Sequence, residues 1–287
     1  VHIKHIKFHE LLEVEKRLLK VIEREVKCRS LLNKSHLEDY CINPYVGCQH
    51  ACIYCYADSY TQKFSRHVES WGDFVDVKIN APVVLEREII KKPKGTVFFS
   101  SLTDAYQPIE RDYELTRRLL GIVLKHQFPI SIQTKSALVI RDLDLLKKFD
   151  TCEVGFTITT TNDNMRRLIE PYSSSVEERI SVIKKLKENG VKTFAFFGPI
   201  LPHISDQNLE ECFQQIVSAG TDYVYIDRLN LKPGLWIKLE RFLRNNFPNL
   251  HKDWQNILLG RSDYYQKFKK KTDNVCKELR LECRFCF

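Results

Sequence analysis

No stretch of the 287-residue sequence approaches the ~18–20 consecutive apolar residues that a membrane-spanning helix needs. Neither a glycine-rich dinucleotide fingerprint nor a Walker-type phosphate loop occurs, which sets aside the commonest nucleotide-binding forms of a parallel sheet. The segment VHIKHIKFHELLEVEKRLLK is charged throughout and lacks the apolar centre of a signal peptide. The expectation is a soluble, cytoplasmic, monomeric protein with no membrane partner.

What is present suits one large globular unit. The hydrophobic fraction is 43%, and the length allows a full or partial α/β barrel. Formal net charge is +8, from 45 Lys and Arg against 37 Asp and Glu. The excess is spread along the chain, with a local run at Lys267–Lys271 (KFKKK). Solvated helix faces and attraction to a polyanion such as nucleic acid both account for it. Ten cysteines are unevenly placed. Six fall in two clusters, Cys48/Cys52/Cys55 and Cys276/Cys283/Cys286. In a chain without a secretory signal, such clusters point to metal ligation ahead of disulfides.

Residues 9–26 set Leu, Val and Ile among charges at helical spacing and predict an N-terminal helix. Tyr40–Val46 predicts a strand running directly into the first cysteine cluster. The pattern then alternates. Strands are predicted at 96–101, 129–134, 153–158, 191–197 and 222–226, with helices at 113–127, 142–149, 163–170, 176–189, 206–219 and 235–246. Short apolar strands separated by helices indicate a parallel sheet covered by helices. About six strand–helix units fall short of the eight in a closed barrel. The expected class is α/β, a partial (β/α)6 TIM-like barrel, with an open doubly wound sheet as the alternative. The expected organisation is an N-terminal helical extension over 1–39, the barrel over 40–246, and a C-terminal helical extension with cysteines over 247–287. Ligands on such sheets bind at the C-terminal strand ends. Polar residues gather there, among them Ser100, Ser101, Lys135, Thr157, Thr159 and Asp227.

The first cluster reads NPYVGCQHACIYCYA over 43–57, a C-x3-C-x2-C spacing. Three thiolates so close in sequence can wrap one compact centre, ligating three irons of a cubane and leaving the fourth open. A zinc site using the same thiolates with His50 or Cys41 is the alternative, and a disulfide is another.

This run, with an aromatic residue just before its third cysteine, resembles the signature of the radical S-adenosylmethionine (SAM) superfamily. The longer string resembles one branch, the spore photoproduct lyase-like proteins often labelled DNA repair photolyases. SSLTDAYQPIE at 100–110, TKSALVIRDLDLL at 134–146, TTTNDNMRRLIEP at 159–171 and FFGPILPHISD at 196–206 agree in order, over roughly residues 26–230. The resemblance implies a [4Fe–4S] cluster on Cys48, Cys52 and Cys55, with SAM held at the open iron. It implies reductive cleavage of SAM to a 5′-deoxyadenosyl radical that abstracts hydrogen from substrate, with nucleic acid as the substrate class of the branch. A reductase, ferredoxin or flavodoxin would supply the electron. By resemblance Tyr56 lies near the adenine, Ser100 and Ser101 meet the methionyl end, and Lys135 reaches the methionyl carboxylate. Thr157 and Thr159 approach the ribose, Pro199 and Pro202 shape the loop over the adenine, and Arg167 pairs with Glu170.

Two features depart from that branch. Spore photoproduct lyase uses a cysteine close after the second strand as hydrogen donor. This chain has serines there and no cysteine between Cys55 and Cys152. A serine O–H bond is too strong for that task, which leaves tyrosines such as Tyr106 as candidate donors. The second departure is the C-terminal cluster, Cys276, Cys283 and Cys286, which suggests an auxiliary iron–sulfur cluster with Cys28 or Cys41 as fourth ligand; zinc and a redox role are alternatives. Two further functional readings follow: a peptide- or small-molecule-modifying radical SAM enzyme with that second cluster, and a non-catalytic zinc or iron–sulfur nucleic-acid-binding module.

Overall fold

The computed structural model describes residues 21–287. Its strands are β1 (Ile22–Val26), β2 (Asn33–Lys34), β3 (Tyr40–Ile42), β4 (Tyr45–Val46), β5 (Phe74–Lys78), β6 (Val97–Phe99), β7 (Ile130–Thr134), β8 (Cys152–Thr157), β9 (Lys192–Ile200), β10 (Tyr223–Arg228) and β11 (Glu282–Phe285). Its helices are α1 (Tyr56–Phe64), α2 (Ala81–Ile89), α3 (Glu110–Tyr113), α4 (Leu115–Lys125), α5 (Leu143–Leu146), α6 (Asp163–Ile169), α7 (Val176–Glu188), α8 (Leu209–Ser218), α9 (Leu235–Asn246), α10 (His251–Leu259) and α11 (Tyr264–Glu278). The main sheet has eight strands in the order β11-β10-β9-β8-β7-β6-β3-β2. From β3 to β11 every neighbour pair is parallel; β2 joins antiparallel at the far edge. The six parallel strands β3 and β6–β10 are those the alternation predicts, and the fold is a partial (β/α)6 barrel.

Alternate side chains of each strand point to opposite faces. One face packs on the helices. Ile42, Val97, Phe99, Ile132, Val154, Phe156, Phe197, Val224 and Ile226 are all 0% exposed. They form one core with Leu119 and Val123 of α4, Ile183 of α7 and Phe213 of α8. Full burial of such a side chain contributes about 1.5–3 kcal/mol, so strands of three to six residues suffice. The inner face is polar and aromatic, with Gln133, Glu153, Thr157, Phe196 and Tyr225. Helix ends follow local chemistry. At α7, Ser175 Oγ accepts the Glu178 N–H at 3.2 Å while Glu178 Oε2 accepts the Ser175 N–H at 2.7 Å, a capping box.

The N-terminal helix expected over 9–26 requires correction. Its first part, to residue 20, lies outside the described residues. Ile22–Val26 is strand β1, paired in parallel with β5, and no helix occurs between 21 and 39. The sequence IEREV is mostly exposed, and its partner strand, not its own periodicity, sets its form. The C-terminal segment is also more than helices. β11 extends the main sheet beside β10, so the boundary placed at 247 does not separate that segment from the barrel. No helix of the described residues is long and apolar enough to cross a membrane.

Candidate active site

The loop between β4 and α1 carries Cys48, Cys52 and Cys55. Gly47 enters it at φ +86°, and a Cβ there would fall 2.4 Å from the Phe74 carbonyl oxygen. Both the left-handed backbone and the close approach require glycine. The Ala51 N–H donates to the Cys48 carbonyl at 3.2 Å and the Cys55 N–H to the Cys52 carbonyl at 3.3 Å, so the chain coils tightly between cysteines. Burial pushes all three thiols up, and Lys135 opposes it at Cys52 and Cys55. Cys55 acts electrostatically on Cys48 and on Cys52, and Cys48 on Cys52, so the three share one field. Gly47→Ala is expected to cost about 1–3 kcal/mol and to lower the iron retained per chain. Urea unfolding and iron quantitation check it.

The segment after β6 clamps this loop. Thr103 Oγ1 donates to the Gly47 carbonyl at 2.6 Å. Gln107 Oε1 accepts the Gln49 N–H at 2.8 Å, and Gln49 Oε1 accepts the Ile109 N–H at 2.6 Å. Asp104 is the hub. Its carboxylate accepts Thr134 Oγ1 at 2.7 Å, the Lys135 N–H at 2.9 Å and the Tyr106 N–H at 2.9 Å, and lies 3.2 Å from His50 Nε2. Burial opposes its ionisation, yet His50, Lys135 and Thr134 outweigh burial and hold the carboxyl well below its usual range. The cysteine loop and the end of β7 are thus tied through one carboxylate.

Lys135 follows β7 with its Nζ 3.5 Å from Thr157 Oγ1 and 5.8 Å from the Tyr54 ring centre. Tyr54 sits between Cys52 and Cys55 and donates its hydroxyl to Glu170. Glu170 is fully buried and paired with buried Arg179 at 2.6 Å. Burial favours the neutral acid, but Arg179, Lys135 and the Tyr54 hydroxyl hold this carboxyl down to about 2. Ser100 ends β6, and its buried Oγ has no hydrogen-bond partner. Ser101 Oγ lies 3.1 Å from Cys41 Sγ, and the Ser101 carbonyl accepts the Tyr56 hydroxyl. Tyr56 is 39% exposed. Of the expected residues, Ser100 and Ser101 follow β6, Lys135 follows β7 and Thr157 ends β8, three neighbouring strands, while Tyr56 opens α1 directly after Cys55.

Residues 42–216 match the family model of the Radical SAM superfamily. The chain belongs to this superfamily. Membership makes it an enzyme and implies a [4Fe–4S] cluster and SAM. An uncharacterized protein of Methanocaldococcus jannaschii is 40% identical over 226 residues, 78% of this chain and 83% of that one. An uncharacterized protein of Mycobacterium bovis is 29% identical over 230 residues, 72% of this chain and 65% of its own length. A Pseudomonas phage M6 protein named a radical SAM Nalpha-GlyT isomerase is 24% identical over 186 residues, 64% of this chain and 38% of that one. Among solved structures, spore photoproduct lyase complexed with dinucleoside spore photoproduct matches at TM-score 0.71 and 14% identity, over 100% of this chain and 87% of that chain. That likeness is one of fold.

The residues fit the superfamily's cofactors. Three free thiols lie in one coiled loop, the Lys135 ammonium acts on two of them, and the end of β6 carries a buried hydroxyl without a partner. They fit zinc poorly. His50 Nδ1 lies 3.1 Å from the Tyr172 carbonyl and its other nitrogen faces Asp104, while Cys41 is turned to Ser101. Among the described residues no three Cys, His, Asp or Glu side chains are grouped to close on a single metal ion. Tetrahedral zinc needs four donors at one point; a cubane lets each thiolate reach its own iron.

Four expectations about individual residues change. Tyr106 is 0% exposed, and its hydroxyl donates to Asp142 at 3.1 Å inside a network with Arg141 and Glu110; it faces no substrate and is unsuited as hydrogen donor. Thr159 Oγ1 donates to Glu170 at 3.1 Å and is 1% exposed, so it supports the carboxylate rather than a ribose. Arg167 pairs with Asp163 at 3.2 Å, not with Glu170. The auxiliary cluster on Cys276, Cys283 and Cys286 finds no ligand set. Leu281 N–H returns to the Cys276 carbonyl at 2.9 Å after α11, folding β11 back so that Cys276 and Cys283 form a disulfide. Cys286 is exposed. Cys41, on β3, belongs to the other side of the sheet from β11, and Cys28 hydrogen-bonds through its backbone to Asn80 before α2. Sequence reading missed Gln49 and Gln107, whose only signal was their place in the motif-bearing segments, and Arg179, which lies outside those segments on α7.

Proposed function

We propose that this enzyme binds a [4Fe–4S] cluster through Cys48, Cys52 and Cys55, cleaves SAM reductively there, and acts on a nucleic acid. When bound, cluster and SAM supply an electron-driven C–S bond cleavage and a carbon radical that removes hydrogen from substrate. The chain's own groups bind and orient. Lys135 offers an ammonium to the methionyl carboxylate, held by the Asp104 and Glu170 fields. Ser100 Oγ takes a polar methionyl group, and Ser101 and Thr157 line the path from it. Tyr56, at the start of α1, would meet the adenine, and Pro199 near the end of β9 and Pro202 just after it would shape the adjoining segment. A reductase, ferredoxin or flavodoxin would deliver the electron.

The observation that carries this reading is the buried, unpartnered Ser100 hydroxyl at the end of β6, the strand next to β7, after which the Lys135 ammonium stands in the field of Cys52 and Cys55. A buried hydroxyl left unpaired costs about 1–3 kcal/mol, a cost that a ligand removes. A nucleic acid is supported by the +8 net charge and by the fold shared with a lyase solved with a dinucleoside photoproduct. Anaerobic reconstitution tests the core of the reading. The expected product is a brown protein with about four irons per chain that forms 5′-deoxyadenosine from SAM and dithionite. Colourless protein, or no 5′-deoxyadenosine from iron-loaded protein, would defeat it.

A further inference from the structure

The inner face of the sheet differs between its two ends. Ser131, Phe194 and Tyr223 are 1–3% exposed and close the N-terminal end, with Phe194 stacked on Tyr223 at 5.5 Å. Two residues further along the strands, Thr157, Phe196, Tyr225 and Arg284 stand side by side on β8, β9, β10 and β11. Phe196, Tyr225 and Arg284 are partly exposed. This row starts at the active site, because Thr157 Oγ1 is the atom beside Lys135 Nζ.

Next along β10 is Asp227, beside Gly198. A Cβ on Gly198 would come within 2.6 Å of the Phe196 ring and 3.3 Å of Asp227 Cβ. Glycine thus keeps this corner open and lets ring and carboxylate border the same space. Asp227 Oδ1 accepts the Arg228 N–H at 2.9 Å; among the described residues the other oxygen accepts no hydrogen bond and no side chain forms an ion pair with the group. Burial pushes this carboxyl up, and the N–H and charge of Arg228 only partly oppose it.

A half-buried acceptor between partly exposed aromatic rings suits a flat ring with an N–H edge. A nucleobase has both; an aliphatic chain has neither. Arg228, the residue after Asp227, also borders a separate cleft of about 590 Å³ lined by Asn230, Tyr265, Gln266, Lys269 and Phe287. Cations interleaved with aromatic rings are what a strand of nucleotides meets on proteins that hold it single-stranded.

We propose that Phe196, Tyr225 and Asp227 form a seat for one unstacked nucleobase, and that the cleft at Arg228 and Lys269 takes the phosphate of a neighbouring nucleotide. The proposal rests on the nucleic-acid reading above and narrows it: the base must leave its stack to reach a wall inside the barrel. Asp227 and Phe196 decide which ring is accepted; Lys135 and the cysteines do not.

The test titrates anaerobically loaded holoenzyme, with SAM present, against a labelled single strand of about 10 nucleotides, read by anisotropy. DNA and RNA versions separate the two sources of the base. A wholly abasic strand of equal length reports the phosphate contribution alone. The intact strand of one or both sources is expected to bind about 10-fold more tightly than the abasic one. Phe196→Leu and Asp227→Ala should each remove most of that difference and leave abasic binding unchanged. Should Asp227→Ala fail to fold, Asp227→Asn keeps the shape, and a loss in the same direction is expected. Equal binding of intact and abasic strands, or undiminished preference in the variants, overturns the base seat. Formation of 5′-deoxyadenosine by the wild type is measured in parallel. Its presence without base-dependent binding rejects the seat alone; its absence rejects the enzyme reading beneath it.

Discussion

A Cys52→Ala protein is expected to retain iron only at background level and to form no 5′-deoxyadenosine, while its fold survives. Two thiolates cannot anchor three irons of a cubane, and no neighbouring donor stands ready, since His50 and Cys41 are engaged elsewhere. Cys52 is 7% exposed and packs with Tyr54, Met165 and Ile169. Deleting one buried sulfur leaves a gap about the size of a methyl group, costing about 1 kcal/mol. The melting temperature should therefore fall only slightly while cluster absorbance near 400 nm disappears. Exposed Cys286 is the control: Cys286→Ala should change neither iron content nor SAM cleavage. Activity surviving in Cys52→Ala would mean that the cubane is not held by this loop.

Legibility in the sequence tracked how local the determining interaction was. β7, β8 and β9 are short apolar runs buried by helices that precede or follow them, so composition and punctuation located them. The cysteine loop was legible for a similar reason, because its three cysteines lie close together in sequence, from Cys48 to Cys55. β1 was misread because its charged and apolar residues also fit a helical spacing; only β5, 52 positions away by the pairing of Ile22 with Phe74, makes it a strand. β11 was missed because ECRF has no apolar run, and it becomes a strand only by lying along β10. The disulfide went unread for a related reason: spacing shows that Cys276 and Cys283 are near in sequence, but the reversal after α11 decides which sulfurs meet. At the site, Arg167 and Glu170 looked paired by helical spacing. α6 ends at Ile169, so Glu170 turns inward and meets Arg179 from the next helix instead.

That buried pair should be the most costly structural element to break. Arg179→Met leaves the Glu170 carboxylate buried without its cation, and a loss of about 3–5 kcal/mol is expected at neutral pH. The pH dependence has a definite sign. Despite burial, Arg179 and its neighbours hold the folded carboxyl down to about 2, against about 4.3 unfolded. A lowered folded value means stability that is present above the unfolded value and lost as pH falls from about 4 toward 2. The wild type should therefore weaken in that window. The variant, already deprived of the pair, should lose less, and the two unfolding curves should converge as acid protonates Glu170. Adding Glu170→Gln to Arg179→Met should restore part of the loss, because no charge is then left unpaired. Urea unfolding of the three proteins at about pH 7, pH 4 and pH 2.5 measures this. A functional consequence separates positioning from mere stability. Glu170 receives the Tyr54 hydroxyl, and its charge acts on Lys135. The stabilised double variant should therefore show a raised KM for SAM with a smaller change in kcat, since the ammonium proposed to meet the methionyl carboxylate has lost its orienting anion. An unchanged KM would confine Glu170 and Arg179 to holding the fold.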